Sequence, residues 1–267
     1  MITEQEFRRI VSYMKSNYGI DLSHKKTLIA GRLENYLLKN GYNSYDEYMT
    51  MVERDTTGEE ESNLINILTT NHTYFMREFE QFEFMRRQVL PELKVSLKGS
   101  RELRIWSAAS STGEEPYTLA MVLMDFFGLE HSNWDTRVLA TDISEKVLRH
   151  AMKGCYPAEQ IETLPEVWKR RYFKKINEDQ YQVKEELKRE VIFRKFNLMS
   201  PLPFRQKLHI VFIRNVMIYF DEATKRDLVK RIYDCMVPGG YLFVGTTESI
   251  DKESAGFKYI MPSVYRK

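Results

Sequence analysis

The stretch Arg104-Ile105-Trp106-Ser107-Ala108-Ala109-Ser110-Ser111-Thr112-Gly113-Glu114-Glu115-Pro116-Tyr117 carries an apolar strand into a run of small residues and then into a helix. Small side chains let a ligand approach the backbone closely. In an open parallel sheet, such a first strand-to-helix turn is where a nucleotide-like ligand binds, at the carboxyl ends of the strands. The turn lacks both G-x-G-x-x-G and G-x-x-x-x-G-K-[ST], so dinucleotide pyrophosphates and nucleoside triphosphates fit it poorly. The adjacent carboxylates Glu114 and Glu115 would repel phosphate. They suit a cationic ligand, and S-adenosylmethionine carries both an ammonium and a sulfonium.

A second motif, Leu139-Ala140-Thr141-Asp142-Ile143-Ser144, is an apolar strand ending in an acid. Asp142 either accepts hydrogen bonds from ribose hydroxyls or caps the helix that follows. Its place one strand-helix interval after the first motif favours the ribose. Phe196-Asn197-Leu198 ends another strand and can offer an amide edge and an apolar face to adenine. Ile213-Arg214-Asn215-Val216-Met217-Ile218-Tyr219-Phe220-Asp221 gathers Arg, Asn and Tyr just after the strand His209–Ile213. Packing alone seldom collects such residues at a strand end, although Phe220 also suits the apolar face of the next helix.

These residues need a scaffold, and the sequence suggests two. Up to about residue 90 apolar residues recur three and four apart, as in Phe7, Ile10, Val11 and Met14, which predicts helices. A second helix is expected from an N-cap at Ser23 to Asn40-Gly41, burying Ile29, Leu33 and Leu37. A third is expected over Tyr45–Val52 and a fourth over Glu59–Leu68, whose acidic first turn complements the helix dipole. Lys25, Arg32 and Lys39 recur every seven residues and drift only about 20° per step, forming a basic stripe with Lys26 beside it. On spacing alone that stripe reads as a solvated face.

From about residue 100 short apolar strands alternate with amphipathic helices, the pattern of a parallel sheet with crossover helices. Strands are expected at Leu103–Ala108, Arg137–Thr141, Val191–Phe196, His209–Ile213 and Tyr241–Gly245. The intervening helices are Glu115–Phe127, Ser144–Met152, Pro165–Phe173 and Glu222–Met236. Extended runs at Phe257–Ile260 and Ser263–Tyr265 suggest an antiparallel edge pair. The polar segment Lys174–Val183 predicts an inserted β-hairpin, within about residues 173–192.

Composition bounds the class. The chain has 267 residues, 43% hydrophobic and 29% charged, with 40 basic against 38 acidic side chains. That balance argues against disorder and against non-specific nucleic-acid binding. No apolar run approaches the roughly 20 residues of a membrane span, and no secretory signal is recognised, so a cytoplasmic address without membrane insertion is expected. Cys155 and Cys235 form no C-x-x-C pair, and the five histidines lack metal-ligand spacing, so no metal site is expected.

Three ordered motifs, Thr70-Asn71-His72-Thr73-Tyr74-Phe75-Met76-Arg77-Glu78, Trp106–Tyr117 and Ile213–Phe220, resemble the bacterial chemotaxis receptor methyltransferases, the CheR family. The resemblance covers nearly the whole chain. Met76 stands where a second Phe is common, and Ala109-Ser110 where many members have Gly-Cys. The resemblance implies a Rossmann-like α/β methyltransferase domain over residues 91–267, with an inserted antiparallel β-hairpin subdomain, preceded by an N-terminal all-α domain over residues 1–90. It implies methyl transfer from S-adenosylmethionine, leaving S-adenosylhomocysteine, to glutamate side chains on the cytoplasmic helical bundle of methyl-accepting chemotaxis receptors.

By match to the family motifs, the cofactor contacts would be Asn71, Thr73, Arg77, Glu114, Asp142, Asn197, Leu198, Arg214 and Asn215. Arg77 and Tyr219 would lie nearest the transferring methyl. With an acidic helical bundle as substrate, Lys25, Lys26, Arg32 and Lys39 become expected receptor contacts. The inserted hairpin corresponds to a family feature that in some members binds a short receptor peptide. A monomer is expected. Two rival readings are a methyltransferase for RNA, another protein or a small molecule, and a non-catalytic cofactor-binding module. Against the first, no Asn/Asp-Pro-Pro-Tyr/Phe turn follows the fourth strand and no basic-aromatic track is present. Against the second, Arg77 and Tyr219 accompany Glu114 and Asp142.

Overall fold

The structure, a computed structural model, describes residues 2–69, 72–251 and 256–267. It divides into two compact units, one of residues 1–72 with 219–225 and the other of residues 73–218 with 226–267.

The first unit is helical. Helix α1 (Glu4–Tyr18) starts in a capping box, with the Thr3 hydroxyl accepting the Glu6 N–H and the Glu6 carboxylate accepting the Thr3 N–H. Its Phe7, Ile10, Met14 and Tyr18, spaced three and four apart, are buried. Helix α2 (Lys26–Asn40) begins three residues after the expected Ser23 cap. The reason is local: the Asp21 carboxylate accepts the Ser23 N–H at 3.0 Å, which folds Asp21–Ser23 into a turn and leaves Lys25 as the cap residue. Helix α3 (Tyr45–Arg54) is capped by Ser44 and runs two residues further than expected, while α4 (Glu59–Leu68) has the expected bounds. Segment 219–225 joins this unit through an antiparallel bridge of Phe220 to Ile20 and a 2.9 Å ion pair of Asp221 with Lys15.

The second unit begins well before residue 90, where the sequence suggested the boundary. Helices α5 (Phe79–Phe84) and α6 (Leu90–Ser96) are joined by a π-helical turn at Met85–Val89. Phe82, Met85, Val89, Leu90 and Leu93 belong to the same buried core as Ile105, Phe212 and Phe243 of the sheet. Their burial against the sheet, invisible in a helical periodicity, assigns them to this unit. The order continues with β1 (Ile105–Ala108), α7 (Glu114–Phe127), β2 (Val138–Asp142), α8 (Glu145–Lys153), β3 (Cys155–Pro157), α9 (Ala158–Ile161) and α10 (Glu166–Tyr172). Next come β4 (Phe173–Lys175), β5 (Gln180–Val183), α11 (Glu185–Lys188), β6 (Val191–Lys195), β7 (Leu208–Ile213), α12 (Glu222–Cys235), β8 (Met236–Val244), β9 (Lys258–Met261) and β10 (Val264–Arg266).

The main sheet has the order β6-β2-β1-β7-β8-β10-β9. Strands β6, β2, β1, β7 and β8 pair in parallel, and β10 is antiparallel to both β8 and β9. This is the expected Rossmann-like α/β sheet. After β1 the chain builds outward through β2 to β6, then returns to the other side of β1 as β7. The order therefore reverses between β1 and β7, and the loops leaving these two strands open a crevice at their carboxyl ends. All four residues of β1 are buried, as are all six of β7, as befits strands covered on both faces. The inserted element is larger than the expected hairpin: β4 and β5 pair antiparallel and β3 adds a third strand, in the order β3-β5-β4.

Candidate active site

The turn after β1 is held in an unusual backbone. Ala109 (φ 57°) and Ser111 (φ 49°) are left-handed without being glycine, a conformation that persists only where surrounding contacts impose it. Those contacts are visible. The Ser110 N–H donates to the Thr141 carbonyl at 2.9 Å, and the Ser111 N–H donates to Asp142 Oδ2 at 2.9 Å. Gly113 (φ 99°) closes the turn, and a Cβ there would lie 2.8 Å from Ala151 Cβ and 3.0 Å from the Tyr156 hydroxyl. No other residue fits this position.

The second oxygen of Asp142 accepts the Ser144 N–H at 2.9 Å, while the cap of α8 is Ser144 itself, whose hydroxyl accepts the Val147 N–H. Asp142 is thus the clasp between two turns and not the helix cap. With the Ile143 N–H also directed at this carboxylate, Asp142 keeps a remaining lone pair for a ligand hydroxyl. Glu114, in the first turn of α7, is 1% exposed and receives the Thr112 hydroxyl at 2.7 Å and 3.0 Å. Burial pushes its carboxyl above the usual range, with the Thr112 hydroxyl opposing. Burial does the same to Asp142, opposed by the N–H groups of Ser144 and Ser111.

The other wall of the crevice is an ionic network. Arg214, immediately after β7, places Nη1 3.1 Å from Glu115 and Nη2 3.3 Å from Glu78, and it also donates to the Arg77 carbonyl. Its guanidinium lies over the rings of Phe82 and Phe212. Glu115 also accepts the Ser107 hydroxyl at 2.7 Å. Burial raises its carboxyl and Arg214 opposes that shift. Asn215, left-handed at φ 58°, accepts from Arg77 Nη2 at 3.0 Å and donates to Glu78 at 3.2 Å. Arg77 itself stands between two further left-handed residues, Met76 (φ 61°) and Glu78 (φ 59°).

Among the sequence-designated residues the structure therefore brings together Glu114 and Asp142 at the first turn and Arg77, Arg214 and Asn215 in the network, joined through Glu115. Asn197 and Leu198 follow β6. The Asn197 carboxamide accepts the Met199 N–H, buried Leu198 presents its carbonyl to Arg231, and the Phe196 N–H ties the segment to the Asp142 carbonyl. Thr73 is half-buried ahead of Phe75, and Asn71 lies outside the described residues. Tyr219 belongs to the helical unit, where its carbonyl accepts the Asp21 N–H at 2.8 Å.

The basic stripe of the helical unit is not uniform. Lys25 and Lys39 are exposed. Lys26 pairs with Glu4 at 2.8 Å, and Arg32 donates to the Ile67 and Thr69 carbonyls at the carboxyl end of α4.

Sequence reading missed the acids that hold the network. Glu78 and Glu248 each look like surface glutamates, yet Glu248 is 6% exposed and accepts the N–H groups of Gly245 (2.7 Å), Asn215 (2.8 Å) and Ile218 (3.2 Å). Gln81 bridges Glu78 and the Val244 carbonyl at 2.8 Å each. The available signal was Glu248 following Gly245, the residue just past β8, where a Cβ would lie 2.8 Å from the Glu248 carboxylate and 2.9 Å from Asn215.

The crevice fits S-adenosylmethionine. It offers the buried carboxylate of Glu114 and the half-buried carboxylate of Asp142 to a cation- and hydroxyl-bearing ligand, and two buried hydroxyls, Ser110 Oγ and Ser111 Oγ, that lack a protein partner.

Comparison with known sequences agrees. Residues 71–265 match the family described as CheR methyltransferase, SAM binding domain, and residues 5–69 match CheR methyltransferase, all-alpha domain. The chain is 41% identical to the chemotaxis protein methyltransferase of Borreliella burgdorferi, covering 100% of this chain and 95% of that one. It is 34% identical to the chemotaxis protein methyltransferase of Salmonella typhimurium over 99% of this chain and 90% of the relative. A probable chemotaxis protein methyltransferase of Rhizobium etli is 34% identical over 90% of both chains. The acidic cofactor crevice, the two family matches and the full-length relatives lead to one assignment: the chain belongs to the CheR methyltransferase family, S-adenosylmethionine-dependent methyltransferases of chemotaxis.

Proposed function

We propose that this protein methylates glutamate side chains on the cytoplasmic helical bundle of chemotaxis receptors, as a cytoplasmic protein-glutamate O-methyltransferase. The observation that carries this reading is the make-up of the crevice. Among the described residues, the charged groups that form it are the carboxylates of Glu78, Glu114, Glu115, Asp142 and Glu248 and the guanidiniums of Arg77 and Arg214. An acceptor that arrives already ionised suits such a site. A glutamate carboxylate, with a reference pKa of about 4.3, is ionised at neutral pH.

Bound S-adenosylmethionine supplies an electrophilic methyl on a sulfonium. The protein's part is to hold and align. Glu114 would take the cofactor's ammonium, Asp142 its ribose hydroxyls, and Asn197 and Leu198 its adenine, with Asn71, Thr73, Arg214 and Asn215 completing the pocket. Arg77, its guanidinium oriented by Asn215, would hold a carboxylate by charge-assisted hydrogen bonds, and Tyr219 would orient the incoming oxygen. Alignment and removal of water from the carboxylate then carry the rate. The helical domain would contact the receptor through Lys25, Lys26, Arg32 and Lys39. Among the described residues no helix is long and apolar enough to cross a membrane.

The test is transfer of labelled methyl to membranes carrying chemoreceptors, followed by mild base. Base-labile label on the receptor, lost in Arg77→Ala and reduced in Tyr219→Phe, is the expected result. Cofactor binding without receptor labelling would overturn the assignment of the acceptor, and unchanged transfer by both variants would overturn their roles.

A further inference from the structure

We propose that Tyr156, carried by the inserted three-stranded sheet, is a positioning residue for the cofactor turn, so that the inserted sheet and the cofactor pocket are energetically coupled. Tyr156 is the central residue of β3, pairs in register with Tyr181 of β5, and is fully buried. Its hydroxyl leaves the inserted sheet and donates to the Thr112 carbonyl at 2.6 Å. Thr112 is the residue whose side chain holds Glu114, and Gly113 beside it has no free space on the side of the Tyr156 hydroxyl and Ala151.

The turn needs such support, because Ala109 and Ser111 are left-handed and revert to ordinary backbone unless tied. Three of its ties come from within the main sheet and the turn itself: Ser110 N–H to Thr141, Ser111 N–H to Asp142, and Gly113 N–H to Ser110. The fourth is the Tyr156 hydroxyl. The Tyr156 ring also packs edge-on against Phe75 at 5.0 Å, and Phe75 packs edge-on against Phe173 of β4 at 5.6 Å. Phe75 lies two residues before Arg77. The inserted sheet thus grips both the turn bearing Glu114 and the segment bearing Arg77. A group that fixes the turn must be fixed in return when ligand fills the pocket, since coupling between two sites is reciprocal.

Tyr156→Phe keeps the ring and its packing and removes only the hydroxyl. Calorimetric titration with S-adenosylhomocysteine should show binding weakened by roughly tenfold, the usual cost of one buried hydrogen bond. The control is Tyr117→Phe, which removes a similarly buried hydroxyl in the same aromatic cluster, one that donates to the Ala151 carbonyl at 2.8 Å. It should lower the melting temperature comparably and leave S-adenosylhomocysteine affinity within twofold. Wild-type affinity in Tyr156→Phe, or equal weakening by both variants, would overturn the proposal. An independent reading uses the unaltered protein. S-adenosylhomocysteine should slow amide hydrogen exchange in residues 154–156 and 180–183 as well as in 110–114. Slowing confined to 110–114 would overturn it, whatever the variants do.

Discussion

One carboxylate oxygen of Glu248 accepts the backbone N–H of Asn215 at 2.8 Å, and through it the loop leaving β8 fixes the loop leaving β7. The same oxygen takes the Gly245 N–H, and the other takes Ile218. Glu248→Gln keeps the shape but turns an amide donor toward backbone donors. It should cost about 2 kcal/mol, roughly 5 °C in melting temperature, and reduce methyl transfer because Asn215 no longer orients Arg77. A melting temperature within 1 °C (roughly 0.3 kcal/mol) of wild type would show that the carboxylate does not hold the loop.

Glu114 should make cofactor binding pH-dependent. Burial raises its pKa above the ordinary 4.5, so on acidification the free protein takes up a proton here earlier than an exposed glutamate would. A protonated Glu114 cannot pair with an ammonium. Affinity for S-adenosylhomocysteine should therefore fall as pH is lowered toward that raised value, and Glu114→Gln should bind at least tenfold more weakly without that acid-side decline. Titration calorimetry at a neutral and an acidic pH decides it; parallel curves for the two proteins would assign the pH effect elsewhere.

Charge reversal along α2 separates receptor contact from stability. Lys25→Glu and Lys39→Glu alter exposed side chains and should weaken receptor methylation severalfold while cofactor affinity and melting temperature stay put. Arg32→Glu should also weaken it, but with a stability loss of about 1–2 kcal/mol, because a carboxylate would face the Ile67 and Thr69 carbonyls at the negative end of α4. Undiminished receptor methylation by the Lys25 and Lys39 variants would remove the stripe from the interface.

His209 on β7 predicts an acid-labile fold. Its ring is buried, Nδ1 accepts the Arg104 N–H at 3.0 Å, and burial with Arg104 nearby lowers its pKa to about 4. The unfolded chain binds this proton from about pH 6.5 downward and the folded chain only near pH 4, so stability declines across that interval, by up to about 3 kcal/mol. Urea unfolding at pH 7 and pH 4.5 should show the decline, and His209→Asn should flatten it. An identical slope in the variant would clear His209.

The centre of the sheet was legible because its strands are buried on both faces and read as short apolar runs, as β7 does from Ile210 to Ile213. Asp142 and Glu114 were legible because each stands at the end of such a run. Strand β3 was not: three residues, Cys155–Pro157, have no periodicity, and only pairing with Gln180–Gln182 makes them a strand. Glu78 and Glu248 escaped for a related reason. Their partners lie 137 and 33 residues away in the chain, so nothing local distinguishes them from solvated acids. The boundary near residue 90 likewise followed helical periodicity, which reports that a face is buried and not what buries it.

The outer strands of the main sheet have a bearing on solubility. One margin is β6, where Arg194 and Lys195 are exposed, and the other is β9, which begins at exposed Lys258. An open backbone edge is a template for pairing with another chain, and cations placed along it discourage that. Two copies meeting margin to margin would set like charges against each other in either combination. The same sheet that exposes its strand ends to a ligand is thereby guarded along its sides against aggregation.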